Sequence, residues 1–387
     1  MRLRNWPCHG YIMPTELQEE ASKPAVAVMW ESFGPTHHDR LRALSRAGFE
    51  VDAIELSSVS RDYAWERDEG ADYRVHTLDD KPGGRPGPSL AWRLYRACMR
   101  SGARDIFLCH YDRPEVFAAA VMLRLRGRRV YALMESKFDD YDRSLWRELG
   151  KSMFVAPYNG ALAPSRRSRD YFAFLGIRRD SIEMGYSAVD ISRLSAAAQD
   201  APKDVAFGKR PFLIVARLVP KKNIARVLEA FARYRERGKD RRELHVIGYG
   251  PLREELEAEA ARLGIADAVD FLGTKEAADV GRAMAGAAAL ILASTEEQFG
   301  LVIIEALAVG LPVIVSSNAG ATDMLVRNLD NGIVIDPYDV ESIVLAMAHI
   351  GGSKKVWQAM HDRALETAMG ADAGRFAEGV ARLVRRP

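Results

Sequence analysis

The sequence predicts an α/β protein of two doubly wound domains, each a mostly parallel sheet covered by helices, and three observations carry that expectation. The chain has 387 residues, more than one ordinary core accommodates. Short apolar runs of the kind buried on both faces recur along it, among them Ala25-Val26-Ala27-Val28-Met29-Trp30 and Ala288-Ala289-Leu290-Ile291-Leu292-Ala293. Several of these runs lead through a short polar or Gly-containing loop into a helix, the repeating unit of a doubly wound sheet. A hydrophobic share of 48 % with 28 % charged residues is that of a soluble globular protein, and a net charge of +2 argues against nucleic acid as the main partner. No run of 18 apolar residues exists, and Met1-Arg2-Leu3-Arg4-Asn5-Trp6-Pro7-Cys8 lacks the apolar core of a signal peptide, so a cytoplasmic location is expected. Cys8, Cys98 and Cys109 have neither the number nor the spacing for a disulfide framework or a zinc site and are expected as reduced thiols.

In chain order, residues 1–24 form an extension in which Thr15 to Ser22 suits a helical turn or two. The first domain, 25–191, opens with the strand Ala25–Trp30, a loop holding Gly34, a helix from Asp39 to Arg46 closed by Gly48, and the strand Val51–Leu56. Residues 57–89 are polar, and Lys81-Pro82-Gly83-Gly84-Arg85-Pro86-Gly87-Pro88 is expected to be a mobile loop. A helix from Ser89 to Ser101, the strand Asp105–His110, a helix from Arg113 and the strand Arg129–Met134 follow. Ligands of a parallel sheet gather at the carboxyl ends of its strands, which makes His110 and Glu135 candidates for lining a cleft. A short strand at Gly160–Ser165, a helix from Arg166 to Leu175 and an alanine-rich linker at 192–208 complete this half. The second domain, 209–365, has strands at Pro211–Ala216, Glu243–Gly248, Ala268–Gly273, 288–293, Pro312–Ser316 and Gly332–Asp336, and residues 366–387 supply a final helix.

Ser294 to Glu305 links the apolar run at 288–293 to a helix over Leu301–Val309 that is closed by Gly310. A strand feeding a helix this way turns free backbone N–H groups and the positive end of the helix dipole into the cleft, a seat for phosphate. Glu297 in the loop and Glu305 about two turns into the helix would accept hydrogen bonds from ligand hydroxyls. Hydroxyls beside phosphate point to a nucleotide sugar. Upstream, Arg217 and Lys222 set two cations at a strand end and a helix start, as a diphosphate requires when no metal neutralises it, and no Asp-x-Asp metal motif accompanies them within the second domain.

Glu297, seven residues, then Glu305, with Phe299-Gly300-Leu301 inside the interval, resembles the retaining glycosyltransferases of family GT4, which have the GT-B fold of two Rossmann-like domains facing each other across a cleft. The resemblance implies that Arg217 and Lys222 hold the donor diphosphate, that Glu297 binds donor-sugar hydroxyls and that Glu305 binds the ribose. It implies further donor contacts at Gly34, at the Gly248-Tyr249-Gly250 loop, near Leu272 where the family meets the nucleobase, and at Phe299, Gly300 and Leu301. The family commonly has histidine at the place matched to Glu135, and a pair of glycines where this chain has the single Gly34. The function implied is metal-independent transfer of a sugar from a UDP- or GDP-sugar to a hydroxyl acceptor, in polysaccharide or lipid-linked glycan synthesis, with the acceptor on the first domain and the final helix packed back on it. Arg124, Arg126, Arg128, Arg129, Arg166, Arg167 and Arg169 lie among apolar residues and suit peripheral docking on an anionic membrane as well as they suit solvated helix faces. Two other classes stay open: a nucleotide-sugar-binding protein without turnover, and a nucleotide-dependent oxidoreductase, which the incomplete Gly-rich phrase Gly248-Tyr249-Gly250-Pro251-Leu252-Arg253 disfavours.

Overall fold

The computed structural model describes residues 23–60, 72–140, 143–199, 201, 205–238 and 242–386; Thr15 to Ser22 and Cys8 lie outside them. The first sheet contains β1 (Ala25–Trp30), β2 (Glu50–Glu55), β3 (Arg74–Thr77), β4 (Asp105–Cys109), β5 (Arg129–Leu133), β6 (Gly160–Ala163) and β7 (Ile182–Met184), all parallel, in the order β3-β2-β1-β4-β5-β6-β7. Helices α1 (Pro35–Arg46), α2 (Pro88–Arg100), α3 (Pro114–Leu125), α4 (Leu145–Val155) and α5 (Arg166–Phe174) connect them, and α6 (Ile191–Ala197) leads out. The second sheet contains β8 (Phe212–Val215), β9 (Leu244–Ile247), β10 (Val269–Gly273), β11 (Ala289–Leu292), β12 (Val313–Ser316) and β13 (Gly332–Ile335), in the order β10-β9-β8-β11-β12-β13. Its helices are α7 (Ile224–Arg237), α8 (Arg253–Arg262), α9 (Ala277–Gly286), α10 (Leu301–Ala308), α11 (Val340–Gly351) and α12 (Lys354–Ala368). All four residues of β11 are buried, as a strand covered on both faces requires.

The last helix, α13 (Gly374–Val384), packs on the first sheet: Phe376, Val380 and Leu383 join the core beside Val26, Val28 and Leu162. Arg129 of β5 donates to the carbonyls of Val384 and Arg386 at 2.6 Å each, occupying acceptors that a helix end leaves free.

Several elements depart from the sequence expectations, each for a local reason. The first helix begins at Pro35, four residues before Asp39, with Gly34 as its N-cap, because proline is suited to a first helical position whose N–H has no partner. Residues 57–89 include the strand β3, whose Arg74 and His76 bond the buried carboxylate of Asp52 on β2. The loop at 81–88 is tied at its root, where the Asp79 carboxylate accepts from the backbone N–H of Asp80, Lys81 and Arg85. The first seven residues beyond Asp190 are helical (α6), so the segment read as a linker begins with a helix capped by the Asp190 side chain. Helix α4 had no expectation at all, since it is inverted: Leu145, Trp146, Leu149 and Met153 face outward while Glu148 is buried against Arg143, Lys151 and Tyr171.

Candidate functional site

Both sheets reverse strand order once, and a crevice opens at the carboxyl ends of the strands where they do. In the second sheet the reversal falls between β8 and β11. Arg217 and Lys222 follow β8, and Glu297 follows β11, so the topology alone brings the predicted cations and the first acid to one place. The two loops are stitched together. Thr295 N donates to the Lys221 carbonyl at 2.9 Å, Asn318 Nδ2 to the Thr295 carbonyl at 2.8 Å, and Asn223 Nδ2 to the carbonyls of Ala293 at 3.1 Å and Pro337 at 2.7 Å. Asn223 takes a left-handed backbone, φ 58°, to end the short 3-10 turn Pro220–Lys222 and start α7.

On this base Lys222 Nζ forms an ion pair with Glu297 Oε2, and Ser294 Oγ donates to the same oxygen at 3.2 Å. Both charged side chains are 15 % exposed, enough desolvation to make the pair matter and enough access for a ligand to divide it. A depression of about 520 Å³ adjoins them, lined by Arg217, Val219, Pro220, Lys221, Thr295 and Glu296. Gly300 caps α10 at φ 94°, where a Cβ would stand 3.1 Å from Ile303 Cδ1 and 3.2 Å from Leu292 Cδ2. Leu301 is the first residue of that helix, whereas Phe299 turns its ring into the core at 2 % exposure and can offer the cleft only backbone. Gly248 and Gly250 let the β9 loop press on the Arg217 loop: a Cβ would lie 1.9 Å from the Ala216 carbonyl oxygen and 2.4 Å from that of Leu218. Between them Tyr249 stands half out of the surface, as does Leu272 at the end of β10.

Glu305 keeps different company. It is half-buried and faces Arg193 of α6 and Asp39 of α1, with Arg193 donating to the two Asp39 oxygens at 2.9 and 2.6 Å. Burial, then the Asp39 charge, raises the Glu305 pKa against the pull of Arg193. The two acids eight positions apart thus have separate sets of partners.

In the first sheet the reversal falls between β1 and β4. Gly34 follows β1, but its N–H donates to His37 Nδ1 at 3.0 Å and is occupied in this conformation. His110 follows β4 at φ 58°, a left-handed conformation uncommon outside glycine. Its pKa is raised to about 9, first by the adjoining Cys109 sulfur and then by Glu31 and Asp112, against burial. His37 moves the other way, well below its ordinary value, because burial and then Arg40, His38 and His110 disfavour a cation there. Glu135, following β5, accepts from Ser187 Oγ at 2.7 Å; burial raises its pKa, with Glu297 and Asp140 adding to the rise and Arg40 and Ser187 opposing it. Glu135 and Glu297 lie on opposite sides of one cleft, each next to a residue of the Gln298–Ser136 bond that crosses it.

The cleft is also bridged. Gln298 Nε2 donates to Ser136 Oγ at 3.3 Å, and Arg167 of α5 bonds the carbonyls of Ser317 and Ala319, the Thr322 hydroxyl and Asp323. Asp323 in turn accepts from the backbone N–H of Arg166 and Arg167 at the start of α5. Sequence reasoning placed Arg167 among basic residues and gave no site role to His37, Arg40, Ser187 or Asp323. The adjacent His37-His38 after a Gly-Pro helix start was the one available signal.

Comparison with known proteins accords with this arrangement. The family model for glycosyl transferases group 1 matches residues 198–366. A GDP-mannose-dependent alpha-(1-6)-phosphatidylinositol monomannoside mannosyltransferase of Mycobacterium tuberculosis is 30 % identical over 244 residues, covering 60 % of this chain and 59 % of its own. The chain spans less than two thirds of the length of these curated relatives, from 59 % of the mycobacterial protein to 6 % of a Vicia faba protein named a probable sucrose-phosphate synthase. Among solved structures, the sucrose-phosphate synthase of Thermosynechococcus elongatus superposes with a TM-score of 0.71 at 16 % identity, covering 94 % of this chain and 98 % of its own. Anabaena HepE in complex with UDP gives 0.70 at 17 %, covering 93 % and 99 %. The fold is therefore GT-B, and within it residues 198–366, most of the second domain, are similar to the glycosyl transferases group 1.

Proposed function

We propose that this protein is a retaining, metal-independent glycosyltransferase of the GT4 type, which moves a sugar from a UDP- or GDP-sugar to a hydroxyl acceptor. The observation that carries the reading is the Lys222–Glu297 pair at the second sheet's switch point, beside Arg217 and the start of α10. An entering diphosphate offers Lys222 a second anionic partner and leaves the Glu297 carboxylate to accept from sugar hydroxyls. As the glycosidic bond breaks through an oxocarbenium-like state, Arg217, Lys222 and the N–H groups at Gly300 and Leu301 stabilise the charge that grows on the departing diphosphate. That leaving group helps deprotonate the acceptor hydroxyl. Glu305 binds the ribose, on the side facing Arg193. The GDP-mannose dependence of the mycobacterial relative and the UDP bound to HepE support a nucleotide-diphosphate donor. The test is release of nucleoside diphosphate from a panel of UDP- and GDP-sugars, with the anomeric configuration of the product read by NMR. No release with any donor would favour the reading of a binding protein without turnover.

A lipid-linked acceptor, met at an anionic membrane surface, is favoured by α4. Leu145, Trp146, Leu149 and Met153 are 66, 82, 52 and 65 % exposed on one helical face, with Phe138 and Phe174 nearby at 51 and 54 %. Arg147 lies on the same helix, and Arg124, Arg126 and Arg128 end or follow α3, so apolar insertion would be joined by charge attraction. Among the described residues no helix is long and apolar enough to cross a membrane. Sedimentation with vesicles tests the idea: binding should rise with anionic lipid and fall in Trp146→Ser, and binding indifferent to lipid charge and salt would refute it.

A further inference from the structure

Arg40 of α1 is 1 % exposed, and its Nη2 has no hydrogen-bond partner. A buried guanidinium with an unsatisfied N–H is costly unless its charge is set against another. Its Nε donates to the Ala188 carbonyl at 3.0 Å, and its guanidinium lies over the Tyr186 ring, 5.0 Å from the centroid. Those residues flank Ser187, the donor to Glu135 at 2.7 Å. Tyr186 is fixed a second time, accepting from Trp30 Nε1 at 2.9 Å. Arg40 therefore grips both sides of the residue that holds the cleft carboxylate. Asp140, beyond β5, and Glu297, from the second domain, oppose the ionisation of Glu135, and Arg40 favours it.

We propose that Arg40 is the positioning residue of Glu135: by gripping Tyr186 and Ala188 on either side of Ser187 it orients the Glu135 carboxylate to accept a hydrogen bond from a sugar hydroxyl in the cleft, and its charge favours the carboxylate form. The hydroxyl rests on the transferase reading; the coupling of Arg40 to Glu135 does not. Without Arg40, the half-buried carboxylate keeps the Ser187 hydroxyl but loses a cation that offsets Asp140 and Glu297, so its ionisation weighs more against the fold as pH rises.

The experiment is thermal unfolding from pH 5 to pH 8.5 of the wild type, Arg40→Met, Glu135→Gln and the double variant. Arg40→Met should lose more Tm at pH 8 than at pH 5, and Glu135→Gln should restore the part lost between them. Arg40→Lys, which keeps the charge, should recover part of the loss, and it takes the place of Arg40→Met in the cycle if the methionine variant does not fold. A Tm loss that is the same at both pH values, or that Glu135→Gln leaves unrelieved, overturns the proposal and makes Arg40 a packing residue. In the turnover arm, the acid limb of kcat/KM should move up by half a pH unit or more in Arg40→Lys and stay in place when Glu135 is already Gln. Coupling in the unfolding arm without turnover in any variant would support the Arg40–Glu135 link while counting against the transferase.

Discussion

Lys222→Ala removes the cation that the account places on the leaving diphosphate, and its two effects can be separated. In the free protein Lys222 pairs with Glu297, and both side chains are 15 % exposed. Exposed pairs contribute about 0–1 kcal/mol, while breaking a fully buried one costs about 3–5 kcal/mol, so a stability loss of about 1–2 kcal/mol is expected here. Catalysis should suffer more. A charge that acts as the diphosphate departs resembles one preorganised oxyanion donor, whose removal lowers kcat by about two to three orders of magnitude, or about 2.7–4 kcal/mol. Thermal unfolding and steady-state release of nucleoside diphosphate read the two numbers independently. Adding Glu297→Gln to Lys222→Ala should recover much of the lost stability, by removing the unpaired acid, and none of the lost rate. A well-folded Lys222→Ala protein with kcat within a few-fold of wild type would refute the assignment.

Four further outcomes follow. Arg167→Ala removes the side-chain bonds from α5 to Ser317, Ala319, Thr322 and Asp323 and leaves the two backbone N–H bonds to Asp323, so solution scattering without ligand should show a larger radius of gyration and nucleotide should reduce it; curves identical for both proteins, with and without nucleotide, would remove the Arg167 side chain as a closure element. Glu135→Gln should cost less than about tenfold in kcat if Glu135 only binds a hydroxyl, and about a hundredfold or more if it moves a proton; a silent Glu135→Gln beside an inactive His110→Ala would shift the reacting centre to His110. Gly300→Ala forces a Cβ into a left-handed position against Ile303 and Leu292, so it should lose at least the roughly 1–2 kcal/mol of the backbone term, and an unchanged Tm would contradict that geometry. His110, with its folded pKa raised to about 9 from an ordinary value near 6.5, contributes stability that is fully present below pH 6.5 and is lost as pH rises through 9. His110→Asn, which tolerates the left-handed backbone, should flatten Tm across that window, and an unaltered profile would count against a charged His110.

The parallel sheets were legible because β11 and its neighbours are continuous apolar runs, and the second-domain site was legible because strand ends must carry the ligands of such a sheet. Elements held by charge rather than by an apolar pattern were not. Strand β3 is an exposed edge anchored by Arg74 and His76 on Asp52, and α4 carries its apolar residues outward. Neither has the periodicity that a core imposes. Glu305 shows the same limit within the site: spacing from Glu297 predicted a shared ligand face, but the neighbours that set its charge, Arg193 and Asp39, are 112 and 266 positions away and are brought there by α6 and α1. Arg40 and Ser187 were hidden for that reason too, since their roles depend on α1 packing beneath the segment after β7.

The central claim is that Arg217 and Lys222 make the second domain's switch point a seat for a nucleotide-diphosphate sugar. Ligand-dependent unfolding across UDP-sugars, GDP-sugars, NAD and NADP, for the wild type and for Arg217→Ala/Lys222→Ala, tests it most directly. The account predicts that at least one nucleotide sugar stabilises the wild type, by about 2.7 kcal/mol at a hundred times its Kd, that the dinucleotides do not, and that the double variant loses the response. Stabilisation by a dinucleotide alone, or a nucleotide-sugar response undiminished in the double variant, would contradict it.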